Sequence, residues 1–266
     1  MGIPRRIHQT WKTRYVPTHL GEYVRSWRRE HPDWAYHFWT DELAVRFVHR
    51  YHRWFLRCFE GYANDVMRAD ALRYLLLFEF GGVYADLDYE CYRSFLPLTC
   101  GTDLLLAWEW SGVPDQATGQ ATALHVDVLR EWAQTDNTLG NAVIASCAGH
   151  PLWLAMLHRM MREHPGPISQ PNRAIWHLTG PAFLTRVLLE NIRVHWRVRL
   201  LDQSVLYPIP WHPPVVNDGY RASDFPLAFG AHHWAGTWWQ PQPMDTRPVI
   251  VVDSKELLQK VEVPLR

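Results

Sequence analysis

A chain of 266 residues with 47% hydrophobic content is long enough for one large α/β domain or two small ones, with ample material for a core. Its formal net charge of zero leaves no polybasic footprint for nucleic acid or an anionic membrane. Its apolar runs are too short for a membrane span. The start, MGIPRRIHQTW, enters a strand pattern without a signal-peptide core, and Arg6 stands where N-myristoylation wants Ser or Thr. The expectation is a cytoplasmic protein, soluble or peripheral at the membrane. Four cysteines (Cys58, Cys91, Cys100, Cys147) show no CxxC or zinc-type spacing, so reduced thiols are expected. The 15 tryptophans are first of all large core residues, although indoles also stack on sugars and bases.

Arg5 to Trp11 reads as a first strand. A polar amphipathic segment from His19 to Glu30 follows and stops at His31-Pro32, where proline cannot continue a helix. The aromatic run Trp34 to Trp39 suits a second strand, and Thr40 then caps a helix reaching about Arg50. From Asn64 to Glu90 comes the most informative stretch, NDVMRADALRYLLLFEFGGVYADLDYE. Val66, Ala69, Asp70, Arg73 and Leu77 share one helical face, but most other positions are apolar too, which places this helix inside a domain. Gly81-Gly82 ends it, and Val83-Tyr84-Ala85 is short and β-prone. Asp86 and Asp88, one residue apart at the strand's end, are expected to point the same way. Two carboxylates there form a hard-oxygen site suited to Mg²⁺ or Mn²⁺ that keeps positions open for phosphates. Asp70 and Arg73 lie just behind them, since lone charges on apolar elements need partners.

The β-α-β-α alternation predicts an α/β fold: a single domain over 1–266 with a mostly parallel sheet and helices on both faces. Nucleotides bind such sheets beyond the carboxyl ends of the strands, where Trp11 and Asp86 are expected to face one ligand. Further along, Asp103 to Glu109 is a strand candidate, and Gly112 to Leu124 reads as a surface loop. His150 to Glu163 is a helix whose methionines pack, and Thr179-Gly180-Pro181 opens another, with His177 structural. His232 and His233 face opposite ways on a strand, so one of them at most suits a shared metal. Val249 to Val252 and a Ser254-capped tail read as edge packing.

The segments ADALRY (Ala69 to Tyr74) and GGVYADLD (Gly81 to Asp88) resemble the signature of DxD glycosyltransferases of family 32. That family includes a fungal outer-chain mannosyltransferase and bacterial capsule enzymes, and the arrangement recurs in glucosylating clostridial toxins. IHQTWK and the run from Ser26 to Glu42 are similar to its N-terminal half. The resemblance implies a GT-A, Rossmann-like fold, a nucleotide-sugar donor, Mn²⁺ or Mg²⁺, and retention of configuration by same-face attack. It implies roles too. Asp88 with His233 holds the metal on the donor diphosphate; Asp86 touches ribose or a metal-bound water and serves with Asp88 as the catalytic pair. Asp70 and Arg73 anchor nucleotide and hexose, Trp11 stacks the base, Asn141 lies near the sugar, and Trp238 or Trp239 closes over it. Glu109, Asp127 and Asp202 stand near the sugar without a ranked role. A bacterial-type context favours UDP over GDP, with a glycan or glycolipid as acceptor. Two rivals remain: a metal-dependent hydrolase and a non-enzymatic carbohydrate-binding protein.

Overall fold

The computed structural model describes residues 2–109, 119–120, 137–164, 171–193, 195–211, 219–236 and 249–251. In chain order these form β1 (Arg6–Trp11), β2 (Tyr15–Pro17), α1 (Thr18–Glu30), β3 (Ala35–Thr40), α2 (Asp41–Tyr51), α3 (Arg53–Gly61), α4 (Asp65–Phe80), β4 (Gly82–Ala85) and β5 (Tyr89–Cys91). There follow α5 (Leu96–Thr99), β6 (Leu104–Ala107), β7 (Gly119–Gln120), β8 (Val143–Ser146), α6 (Pro151–Arg162), α7 (Pro171–Leu178) and α8 (Pro181–Asn191). The last are β9 (Val198–Leu201), α9 (Gln203–Leu206), β10 (Gly230–His232) and β11 (Val249–Val251).

Seven strands make the central sheet in the order β3-β1-β4-β8-β6-β9-β7. β1 pairs in parallel with β3 and β4, and β6 with β9; β8 runs against β4 and β6, and β7 against β9. Five strands therefore share one direction, so the sheet is mostly parallel as expected. The pleat sorts side chains by face. Tyr84, Leu104, Leu106, Ile144 and Leu200 pack with Leu72, Leu75 and Leu76 of α4 and Trp153 of α6. Ile7, Val83, Ala85, Leu105, Val143 and Ala145 pack on the other side with Trp27 of α1, Leu98 of α5 and Leu206 of α9. Helices thus cover both faces.

α4 starts where Asn64 accepts a hydrogen bond from the Val66 N–H at 2.8 Å. It is buried at nine positions, Asp70 and Arg73 among them. It stops at Gly81, whose φ of 60° would hold an added Cβ 2.5 Å from the Ala148 nitrogen. That close approach turns the chain straight into β4, between β1 and β8. Thr40 caps α2 by accepting from Leu43 N–H, as its sequence position implies.

Several boundaries differ from expectation. The strand at Asp103–Glu109 covers Leu104–Ala107, after which Trp108 makes a single bridge to Leu139. Gly119–Gln120, inside the expected loop, pairs with β9, and Asp86 and Asp88 lie beyond the end of β4. Trp238, Trp239, Asp127 and the Ser254-capped tail lie outside the described residues. Cys58, Cys91, Cys100 and Cys147 are free thiols. Among the described residues no helix is long and apolar enough to cross a membrane.

Candidate active site

Asp86 and Asp88 reach one place by a turn rather than by strand alternation. The Asp86 N–H donates to the Ala142 carbonyl at 2.7 Å, and the Tyr89 N–H folds back to the Asp86 carbonyl at 3.1 Å. Leu87 between them is buried in an apolar cluster with Val16, Leu20 and Phe38. Anchoring that leucine leaves both carboxylates facing a cavity.

β10 pairs antiparallel with β5 and sets His232 opposite Tyr89. His232 Nε2 comes within 3.2 Å of Asp88 Oδ1, while the Ala235 N–H donates to Asp88 Oδ2 at 2.9 Å. Single ligand atoms of Asp86, Asp88 and His232 lie within 4.8 Å of one another. The alternation argument holds, but it selects the other histidine. His233, expected at the metal, puts its Nε2 2.9 Å from Glu90 Oε2 and stacks on Tyr23, with centroids 4.3 Å apart. The physical reason is register: the strand that faces His232 into the site turns the next ring towards α1.

Behind this cluster sits a buried charge network. Arg73 pairs with Asp70 at 2.9 Å and reaches Asp86 at 3.3 Å, and its Nη1 also donates to the Asn141 carbonyl. Asp70 accepts from Thr179 Oγ1 at 2.7 Å and from Asn141 Nδ2 at 3.0 Å. Tyr84 donates its hydroxyl to Asp86 Oδ1 at 2.7 Å, and the Arg73 guanidinium lies 4.7 Å from the Tyr84 ring centre. Gln9 of β1 donates to the Asp86 carbonyl at 3.2 Å.

These environments separate the carboxyl groups. Burial pushes Asp70 up to about 6 despite Arg73 and Thr179. Burial also raises Asp86, with Arg73 opposing and the Asp88 charge adding to the rise. Desolvation works to raise the half-buried Asp88 too, but the charge and hydrogen bond of His232, with the Ala235 N–H, hold it at about 2. His232 is raised in return: burial works against its charge, and Asp88 outweighs burial. Glu109, just past β6, is pushed up to about 7 by burial.

All of these groups line one cavity of about 1570 Å³, larger than the roughly 300–1,000 Å³ of ordinary ligand pockets. Trp11, Asp70, Arg73, Asp86, Asp88 and Asn141 line it together, so the expected set converges; Trp238 falls outside the described residues. His232, Glu109, Trp176, His177 and Trp211 line it as well. The roles of Thr179 and Gln9 had no sequence signal, because each acts on a partner far away in the chain; Tyr84 acts on Asp86 two residues on, a contact that strand alternation allowed but no motif singled out.

Residues 17–105, which include both aspartates, match the family described as "Glycosyltransferase sugar-binding region containing DXD motif". This is a DXD glycosyltransferase region. Over 196 residues the chain is 33% identical to mannosyl phosphorylinositol ceramide synthase SUR1 of Saccharomyces cerevisiae, spanning 74% of this chain and 44% of that protein. It is 31% identical over 186 residues to inositol phosphoceramide mannosyltransferase 3 of Schizosaccharomyces pombe, spanning 69% and 44%. With the initiation-specific alpha-1,6-mannosyltransferase of Candida albicans it shares 21% identity over 283 residues, 89% of this chain and 72% of the relative. The chain thus spans less than half the length of the first two relatives. Among solved structures, PaToxG glycosyltransferase is similar with a TM-score of 0.49 and 16% identity, over 72% of this chain and 70% of that one.

The donor set of the DXD region fits a divalent cation. Two carboxylates and one imidazole suit Mn²⁺, with Mg²⁺ as the harder alternative. His232 Nε2 and Asp88 Oδ1 already share a proton-sized gap that a cation can take over. The imidazole's other nitrogen is buried without a hydrogen-bond partner among the described residues.

Proposed function

We propose that this chain is a metal-dependent retaining glycosyltransferase that moves a mannosyl group from a nucleoside-diphosphate sugar to a glycolipid or glycan acceptor. One observation carries the reading: the Asp86–Asp88–His232 cluster adjoins the buried Asp70–Arg73–Asn141 network in a single cavity. Mannose is chosen because the relatives are named as mannosyltransferases, and a lipid acceptor because two are named for phosphoinositol ceramides.

In this reading Trp11 stacks the base, while Asp88, His232 and Asp86 hold Mn²⁺ or Mg²⁺. Asp70 and Arg73 fix ribose and hexose, and Asn141 orients the sugar. The cation, when bound, offsets charge developing on the departing diphosphate. Arg73 adds a fixed positive charge that needs no reorganisation at the moment of reaction, because Asp70 and Asp86 already hold it. Burial raises Asp86, and Arg73 at 3.3 Å opposes that rise. The chain works as one unit over 1–266, in the cytoplasm or peripherally at a membrane.

The test is calorimetric binding of UDP- and GDP-sugars with Mn²⁺ and with EDTA, on wild type and Asp88→Asn. Metal-dependent binding of one nucleotide series, lost in the variant, is the expected result and fixes the base. Donor breakdown at a competitive rate without acceptor points to a hydrolase instead. Sugar binding that ignores both EDTA and Asp88→Asn makes the protein a carbohydrate-binding module.

A further inference from the structure

The ends of three strands set out the order of ligand parts along the sheet. β1, β4 and β6 run the same way, in the order β1-β4-β8-β6, and end beside the cavity at Trp11, Asp86 and Glu109. β8 runs against them, so Asn141, two residues before its start, occupies the step between Asp86 and Glu109. If the base lies at Trp11 and the diphosphate at Asp86 and Asp88, the next positions along this edge belong to the sugar. Two strand steps separate Asp86 from Glu109, roughly 10 Å, which leaves room for one sugar ring.

Glu109 is held for such a role. Its N–H donates to the Thr138 carbonyl at 3.0 Å, and Thr138 Oγ1 donates back to Glu109 Oε2 at 2.8 Å. The backbone contact holds the residue beside Thr138, and the hydroxyl tethers one carboxyl oxygen. Among the described residues Oε1 has no hydrogen-bond partner, and Glu109 lines the cavity. Asp86, Arg73, His232 and Tyr207 are the charged or titratable groups acting on it, and none makes a hydrogen bond to it.

We propose that Glu109 grips the transferred hexose, accepting hydrogen bonds from its hydroxyls through the open oxygen, and thereby selects the sugar. The proposal rests on the glycosyltransferase reading above. Burial pushes the carboxyl up to about 7, and hydroxyls donating to the open oxygen favour its charged form. A buried polar group made to bond a hydroxyl discriminates strongly against a sugar that lacks it, because the carboxyl is then left unpaired.

The experiment separates the sugar from the nucleotide. UDP, GDP, UDP-glucose and GDP-mannose are titrated with Mn²⁺ into wild type and Glu109→Gln, and kcat/KM is measured with the preferred donor and its mono-deoxy analogues. Expected is a loss of about ten- to hundredfold in kcat/KM for the parent donor in Glu109→Gln. Affinity for the sugar-free nucleotide should stay within about twofold, the range for a site that does not touch it. One deoxy donor should erase the difference between the two proteins, which a merely structural glutamate cannot produce. An unchanged kcat/KM, an equal loss against every deoxy donor, or a parallel loss of nucleotide affinity overturns the proposal. Should Glu109→Gln fail to fold, Thr138→Val carries the test: the same split is expected at smaller size, and its absence overturns the proposal. A wild type that binds no nucleotide with Mn²⁺ sinks the transferase reading itself, and the Glu109 role with it.

Discussion

Thr179→Val isolates one hydrogen bond in the buried charge network. Thr179 is fully buried, and its hydroxyl donates to Asp70 Oδ2 at 2.7 Å with a longer contact to the Ile175 carbonyl at 3.2 Å. Valine keeps the shape and removes the donor, leaving Asp70 with Arg73 and Asn141 alone. A hydrogen bond to a charged group contributes about 1.5–3 kcal/mol. At roughly 2–4 °C per kcal/mol for a chain of this size, Tm should fall by about 3–12 °C. The pH dependence sharpens the test. Asp70 is raised from 3.8 to about 6 in the folded protein, so about 3 kcal/mol of stability is present below pH 4 and lost as pH rises through 6. Without Thr179 the folded pKa climbs further and still more is lost in alkali. Urea unfolding of both proteins at pH 5 and pH 8 should therefore show the larger difference at pH 8. A difference below about 0.5 kcal/mol, or the same difference at both pH values, would refute the claim that Thr179 stabilises an ionised Asp70.

Two further outcomes follow from the geometry. His232→Ala should weaken Mn²⁺ binding about 10- to 100-fold, measured by calorimetry with nucleotide present, whereas His233→Ala should leave it within about twofold; the reverse order would restore the metal role expected of His233. His8 accepts from Trp39 Nε1 at 3.2 Å and contacts the Gly81 carbonyl at 3.0 Å through Nε2, an arrangement that fits the neutral ring. Burial lowers its pKa from 6.5 to about 3, so its stabilisation is complete above pH 6.5 and is lost as pH falls towards 3. Between pH 7 and pH 5 this amounts to about 2 kcal/mol; His8→Gln, which keeps a donor and an acceptor, should lose correspondingly less in urea titrations, and an equal loss would contradict it.

The fold and the centre of the site were legible because local signals agreed. An apolar helix closed by Gly81, a short β-prone run and two aspartates each read the same way from propensity, pattern and turn chemistry. Where one sequence position had to be chosen over its neighbour, reading failed. His232 and His233 differ by one step of register, and that step is set by pairing of β10 with β5, more than a hundred residues earlier in the chain. The side-by-side carboxylates were correctly grouped for a different reason from the one supplied: Leu87 buries itself and the turn does the rest. Thr179 and Thr138 were invisible as partners because a hydroxyl's target is fixed by packing, and no spacing encodes it. Glu109 carried a weak signal, since it follows a strand that runs parallel to β4, but its neighbours in the sheet were needed to give it a place.

The charges of the site are hard to explain as a device for stability. Asp70, Arg73 and Asp86 sit against an otherwise apolar helix and strand, where a buried ion pair is commonly no better than a hydrophobic replacement. Asp70, Asp86 and Glu109 all have raised pKa values, the mark of carboxyl groups short of solvent, while Asp88 is held low by a histidine that is itself raised. Asp70, Asp86, Asp88 and Glu109 are among the acidic groups that line one cavity, and Arg73 and His232 are the cationic groups that act on them. A cluster of carboxyl groups short of solvent is a setting in which a bound divalent cation would offset charge that the protein alone leaves uncompensated. Asp70 and Arg73 thus sit on a helix buried at nine positions, where the fold alone gives no reason for an ion pair.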